Sequence, residues 1–147
     1  AGCRGFYIGV ESGSPRMLEF FKKGESVEQF EDAFQIARKV GIKTYASFVD
    51  GAPTETDRDR ELTESFIKKI RPDFTGRNVF VGIPGSDLYN YMKENDLYEY
   101  EDATHILYPH GFLKKIKRQY KDYKRFQVYS ELDKYKFLIK KRLLMSK

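Results

Sequence analysis

The sequence predicts an α/β fold: a partial (β/α) barrel of three parallel βα units, followed by a C-terminal helical extension. Three observations predict it. Short runs of apolar and β-branched residues occur three times, each run stops at a loop rich in Gly, Ser, Pro or acidic residues, and each loop leads into a segment of helical periodicity. Strand, loop and helix repeated in tandem imply parallel strands joined by right-handed crossovers.

The first strand is expected over 5–10, where GFYIGV ends abruptly at the polar turn ESGSP. Ser14 then reads as a helix N-cap with Pro15 at the first helical position, and the short helix is expected to run to about Lys22 and stop at Gly24. A second helix begins at Ser26, whose capping-box partner is Gln29. Val27, Phe30, Ala33, Phe34, Ala37 and Val40 fall on one of its faces, and Gly41 ends it. The second strand is expected over 42–49 with the loop DGAPTET at 50–56. The helix after it runs over 57–70 with Leu62, Phe66, Ile67 and Ile70 on its apolar face. Pro72 breaks that helix, the third strand covers 74–81, and GIPGSD at 82–87 leads into a helix over 88–95. The chain divides at residue 97: 1–97 form the half-barrel, and 98–147 form an aromatic, acidic loop followed by a basic stretch over 113–125 and a final helix over 130–145.

The 147 residues are 40% apolar, enough for one core of ordinary domain size. No run approaches the roughly 18 apolar residues of a membrane span, and the N-terminus lacks the pattern of a secretory signal, so a soluble, cytoplasmic protein is expected. Cys3 is the single cysteine, which excludes an internal disulfide and any site needing several thiolates from this chain. The net charge of +5 is unevenly spread: residues 113–147 carry thirteen Lys/Arg against three Asp/Glu, whereas 1–112 carry fourteen against nineteen. A basic tail on an acidic body fits a nucleic-acid or membrane contact, or a helix docking on its own protein. Three strands cannot close a barrel, and the chain lacks an initiator methionine and enters a strand almost at once. A fragment is therefore expected, with the missing N-terminal half of the barrel as its partner and the exposed first strand edge as a route to a homodimer.

Ligand-binding residues in such folds gather in the loops after the strand C-terminal ends. The first loop offers Glu11, Ser12 and Gly13. The second offers Asp50 and Glu55 as substrate-side candidates, and the third offers the backbone of Gly82, Ile83 and Pro84. GVESGS at 9–14, GAPTE at 51–55 and GIPGS at 82–86, in that order and each at a strand end, resemble the later strand-end motifs of radical S-adenosylmethionine (SAM) enzymes. The likeness is nearest to the group with methylthiotransferase and cobalamin-binding members.

The resemblance implies a six-stranded barrel of which this chain is the second half, strands four to six. It implies that Glu11 hydrogen-bonds cofactor hydroxyl or amino groups, that Ser47 faces the cofactor from inside the barrel, and that the 82–85 turn flanks the adenine. The family's CxxxCxxC loop for a [4Fe–4S] cluster is absent, and Cys3 does not match it, so no metal ligands are assigned here. The whole enzyme would cleave SAM to a 5′-deoxyadenosyl radical, with room for a cobalamin-binding domain upstream. The isolated chain would be inactive, its catalytic residues and substrate unspecified.

Plainer roles stand beside these. Glu11 also suits a helix N-terminal charge, Asp50 and Glu55 also suit caps for the helix at 57, and Ser47 also suits a small core residue. His105 and His110 have no partner at metal-ligand spacing and are read as structural. Tyr89, Tyr91, Tyr98 and Tyr100 read as half-buried packing or as the border of a substrate channel. In the tail, Lys114, Lys115, Lys117 and Arg118 interleave with Ile116 and Tyr120. A self-docking amphipathic helix is preferred there, with contact to RNA or an acidic partner, as in a non-catalytic binding module, as the alternative.

Overall fold

The structure, a computed structural model, describes residues 2–112. The basic stretch and the helix expected over 130–145 lie outside the described residues. Strands β1 (Gly5–Glu11), β2 (Lys43–Asp50) and β3 (Phe74–Val79) form one parallel sheet in the order β1-β2-β3, as the tandem units require. Helices α1 (Pro15–Phe20) and α2 (Val27–Lys39) join the first two strands, and α3 (Asp57–Ile70) joins β2 to β3.

The strand period of two sorts the side chains between two different faces. On one face Val10, Ala46 and Phe48 pack with Phe30 and Phe34 of α2 and with Phe66 and Ile70 of α3, forming a buried core that Leu18 joins. Phe34 and Phe48 are almost completely inaccessible, so truncating either to Ala should cost about 3–5 kcal/mol. The opposite face carries Tyr7, Gly9, Tyr45, Ser47, Gly76 and Asn78. The Tyr7 and Tyr45 rings stack there with centroids 4.9 Å apart. Tyr7 is 68% exposed, so part of this face is not covered by any described element.

Local signals account for most helix limits. The Ser26–Gln29 capping box is present in both directions, and α3 has the predicted bounds. Its N-cap is Thr56, boxed with Asp59, so neither Asp50 nor Glu55 caps it. Helix α1 stops before Gly24 because Lys22 takes a left-handed φ of 53° and Lys23 N donates to Leu18 O, closing a Schellman-type end.

The largest departure from expectation follows helix α4 (Asp87–Glu94). Residues expected as loop form an antiparallel hairpin, β4 (Tyr98–Glu101) with β5 (Leu107–Pro109). Asp102 organises its turn by accepting from Thr104 N, Thr104 Oγ1, Ile106 N and Tyr108 OH. These bonds, the Thr104 hydroxyl foremost, hold its carboxyl down at about 2. The hairpin is tied to the third strand-end loop by reciprocal Gly82–Leu107 backbone bonds of 2.8 and 2.9 Å. Leu107, Met92, Phe80, Ala52 and Met17 form a second core beyond the C-terminal ends of the sheet. Among the described residues, no helix is long and apolar enough to cross a membrane.

Candidate functional site

The first strand-end loop is built around a β-bulge. Gly9 pairs with Ser47 and Glu11 with Phe48, so Val10 and Glu11 together oppose one step of β2. Glu11 thereby takes a left-handed φ of 66°, a conformation that costs a non-glycine residue about 1–2 kcal/mol. The turn folds its carboxylate back over Gly9: a Cβ added at Gly9 would lie 2.6 Å from Glu11 Oε1. Lys23 Nζ stands 3.5 Å from the same oxygen, and both side chains are about a quarter exposed. An acceptor group is thus held on the open face of the sheet, within reach of solvent or ligand.

Ser12 and Gly13 turn the other way, into α3. Thr63 Oγ1 accepts from Gly13 N at 3.0 Å and lies 3.1 Å from Ser12 Oγ, both bonds being buried. Gly13 has no room for a side chain, since its Cβ would stand 2.5 Å from Phe66 Cβ and 2.8 Å from Thr63 Cα. Ser14 Oγ, expected to cap α1, instead donates to Asp59 Oδ1 at 2.6 Å. Arg16 pairs with the same carboxylate and donates to Thr54 O at 2.7 Å. Asp59 is buried, yet the Arg16 guanidinium first, then the Ser14 and Thr56 hydroxyls, hold its carboxyl far below the usual carboxylate range. This network fixes the loop from beneath, so Ser12 and Gly13 set the position of Glu11.

Ser47 is buried on the open-face side of β2, and its Oγ accepts from Asn78 Nδ2 of β3 at 3.0 Å. Sequence reasoning missed Asn78, whose signal is the one amide in the strand FTGRNV. Gly76, two residues earlier, lies under the Tyr45 hydroxyl, where its Cβ would be 1.9 Å away. The open face therefore has an aromatic lower half, Tyr7 and Tyr45, and a polar upper half of Ser47 and Asn78 with Glu11 at the strand end.

In the second loop, Arg77 Nη1 bonds both Asp50 oxygens at 3.0 and 3.1 Å, and its Nη2 reaches Glu64 of α3, which puts Asp50 on the helix-covered side. Burial raises the Asp50 pKa, against the opposing pull of Arg77. Glu55 Oε2 accepts from Gly51 N at 2.8 Å and pairs with Arg60 at 3.2 Å, closing the loop on itself. Thr54 Oγ1 in the same loop is buried with no hydrogen-bond partner among the described residues. In the third loop Gly82 is buried against Met92 and Leu107, while Ile83 and Pro84 are exposed and Ser86 caps α4.

The profile of the radical SAM superfamily matches residues 1–67, from β1 through most of α3. This segment belongs to the radical SAM superfamily. The chain is 40% identical over 96 residues to an uncharacterized methyltransferase of Pyrococcus horikoshii, covering 65% of this chain and 21% of that protein. It is 33% identical over 104 residues to a putative methylthiotransferase of Methanocaldococcus jannaschii, covering 67% and 23%. Over 138 residues it is 26% identical to the bacteriochlorophyllide d C-8(2)-methyltransferase of Chlorobaculum tepidum, covering 88% and 31%. The chain thus spans about a fifth to a third of the length of these relatives. The three parallel βα units are consistent with part of a radical SAM barrel.

Radical SAM enzymes take SAM and a [4Fe–4S] cluster, and the two groups fit this chain differently. Cys3 is exposed and is the one cysteine, and no group of three or more His, Cys, Asp or Glu among the described residues could hold a metal. The described residues therefore do not fit the cluster. They do fit SAM in donor chemistry: the part-exposed Glu11 carboxylate and the exposed Asn78 amide lie on one open sheet face, with the Ser47 hydroxyl buried beside Asn78, and their acceptor oxygens match the diol and ammonium donors of a nucleoside–amino acid conjugate.

Proposed function

We propose that this chain supplies part of the SAM and substrate site of a radical SAM enzyme, in the upper half of the open sheet face. The observation that carries the reading is Glu11, which keeps a strained left-handed backbone and thereby points its carboxylate over Gly9 beside the Ser47–Asn78 pair. In this reading the carboxylate accepts from the ribose hydroxyls, the Ser47 hydroxyl faces the same ligand, and the exposed Ile83–Pro84 turn borders the adenine. Asn78 holds the Ser47 side chain in one orientation, and the Ser12–Thr63 and Arg16–Asp59 contacts keep the loop from moving. SAM bound here would be cleaved to methionine and a 5′-deoxyadenosyl radical on taking one electron from a cluster whose ligands this chain does not hold. The remaining strands of the barrel would pair along the edge of β1. The full protein would then belong with methyl- or methylthio-transferring enzymes, the reactions named for its relatives, and this chain alone would be inactive.

The test is SAM binding to the reconstituted full-length protein. Replacing Glu11 with Gln removes one charge-assisted acceptor, worth about 1.5–3 kcal/mol, and should weaken SAM binding by about 10- to 100-fold. Unchanged affinity in Glu11→Gln would remove the reading.

A further inference from the structure

Charge on the described body is sorted along the strand direction. Because β1, β2 and β3 are parallel and α2 and α3 return antiparallel to them, the strand starts and the last turns of both helices share one end. Arg4, Arg38, Lys39, Lys43, Lys68, Lys69 and Arg71 all lie there, and all are exposed. They are half of the fourteen Lys/Arg in residues 1–112. Asp73 is the one acidic residue in the stretches 1–5, 38–43 and 68–73, although 1–112 carries nineteen Asp/Glu. An acidic body therefore has one strongly positive end.

Helix dipoles explain only part of this. Arg38, Lys39, Lys68 and Lys69 complement the C-termini of α2 and α3. Arg71, the C-cap of α3, does so too, but Arg4 and Lys43 stand at strand starts and have no such reason. Arg71 even takes a left-handed φ of 47° at the end of α3, where glycine is the less strained residue. It borders a cavity of about 250 Å³ lined also by Arg38, Lys43, Thr44 and Asp73. The single carboxylate in that lining is already engaged: Asp73 accepts from Lys43 Nζ at 2.6 Å and Thr44 N at 2.9 Å, and Lys43 holds it below its usual range. Arg38 donates to Ile70 O, and Lys69 pairs with Glu31. Among the described residues, Arg4, Lys39, Lys68 and Arg71 make no ion pair.

We infer that this end binds the phosphodiester backbone of a nucleic acid, with one phosphate in the cavity between Arg38 and Arg71 and neighbouring phosphates at Arg4, Lys39 and Lys68. A single small phosphate would answer only the cations around the cavity, whereas a chain of phosphates uses those on the rim as well. The guanidinium forks suit phosphate oxygens. The surface lies at the far end of strands of seven and eight residues, about 20–25 Å from the Glu11 loop, so it stands independently of the SAM reading.

The test is fluorescence anisotropy of a labelled 20-nucleotide single-stranded RNA with the full chain. Arg38→Glu with Arg71→Glu should weaken binding at least about tenfold and reduce the slope of log K against log salt by about 1.4, because two phosphates are no longer neutralised. The exposed pair Lys39→Glu with Lys68→Glu should do the same, and it carries the test if the arginine variant loses its native circular dichroism. Inorganic pyrophosphate and polyglutamate should displace the RNA poorly. RNA affinity that is absent in the native chain, is unchanged in the Lys39/Lys68 variant, or falls only on reversing Lys114 and Lys115 would overturn the inference. Displacement by pyrophosphate would assign the site to a free phosphate, and displacement by polyglutamate to an acidic protein, and each would overturn it equally.

Discussion

Gly13→Ala isolates the packing that holds the site loop. The new Cβ would sit 2.5 Å from Phe66 Cβ, 2.8 Å from Thr63 Cα and 2.9 Å from Leu62 O, and two of these three atoms are helix backbone. A flexible side chain could swing aside, but the α3 backbone cannot, so the loop itself must lift. Overpacking of this kind costs about 1–3 kcal/mol. Lifting the loop also stretches the buried Gly13 N to Thr63 and Ser12 to Thr63 bonds, each worth about 1 kcal/mol. The sum is a loss of about 3–5 kcal/mol, readable as a lower urea midpoint with unchanged m-value. Gly24→Ala is the matched control: nothing lies within 4 Å of its added Cβ and its φ is ordinary, so its stability should change by less than about 1 kcal/mol. Equal midpoints for the two variants would refute the argument that Gly13 is wedged on α3.

Two further outcomes follow from the same network and from the open face. Asp59 has a folded-state pKa far below its unfolded value, so its contribution is present above about pH 4 and is lost as pH falls towards the folded value. Unfolding free energy measured from pH 5 to pH 2 should therefore fall less steeply in Asp59→Asn than in the native chain, and parallel curves would contradict this. On the open face, Ser47→Ala and Asn78→Ala should each weaken SAM binding to the full-length protein, and the double variant should be little weaker than Ser47→Ala. Strictly additive losses in that cycle would show that Asn78 does not act through Ser47.

Much of the fold was legible because it is locally encoded. The capping box at Ser26 and Gln29, the apolar period of 57–70 and the break at Pro72 each depend on residues a few positions apart, and the elements form there. What the sequence hid depends on distant partners. The hairpin at 98–109 closes locally at Asp102, but its place against the third strand-end loop depends on Gly82 and Leu107 pairing across 25 positions. Ser14 has the spacing of a cap, but Asp59, 45 residues away, takes its hydroxyl. The site shows the same division. The loop motif made Glu11 visible, while the bulge that aims it, the burial of Ser12 and Gly13 on Thr63, and the Asn78 partner of Ser47 emerge only when strands and α3 are in register. Asp50 and Glu55 could not be separated from ordinary loop acids by spacing. In the structure Arg77 takes the first, while Gly51 N and Arg60 take the second.

Hydrogen–deuterium exchange of the full-length protein with and without SAM tests the central claim most directly, because it reports where the ligand sits. If the open upper face is the site, SAM should slow exchange in peptides covering 9–14, 47–52 and 78–85 together, and leave the strand starts near Lys43 and Phe74 unchanged. Slowed exchange confined to other parts of the protein, with these three segments unaffected, would contradict the account.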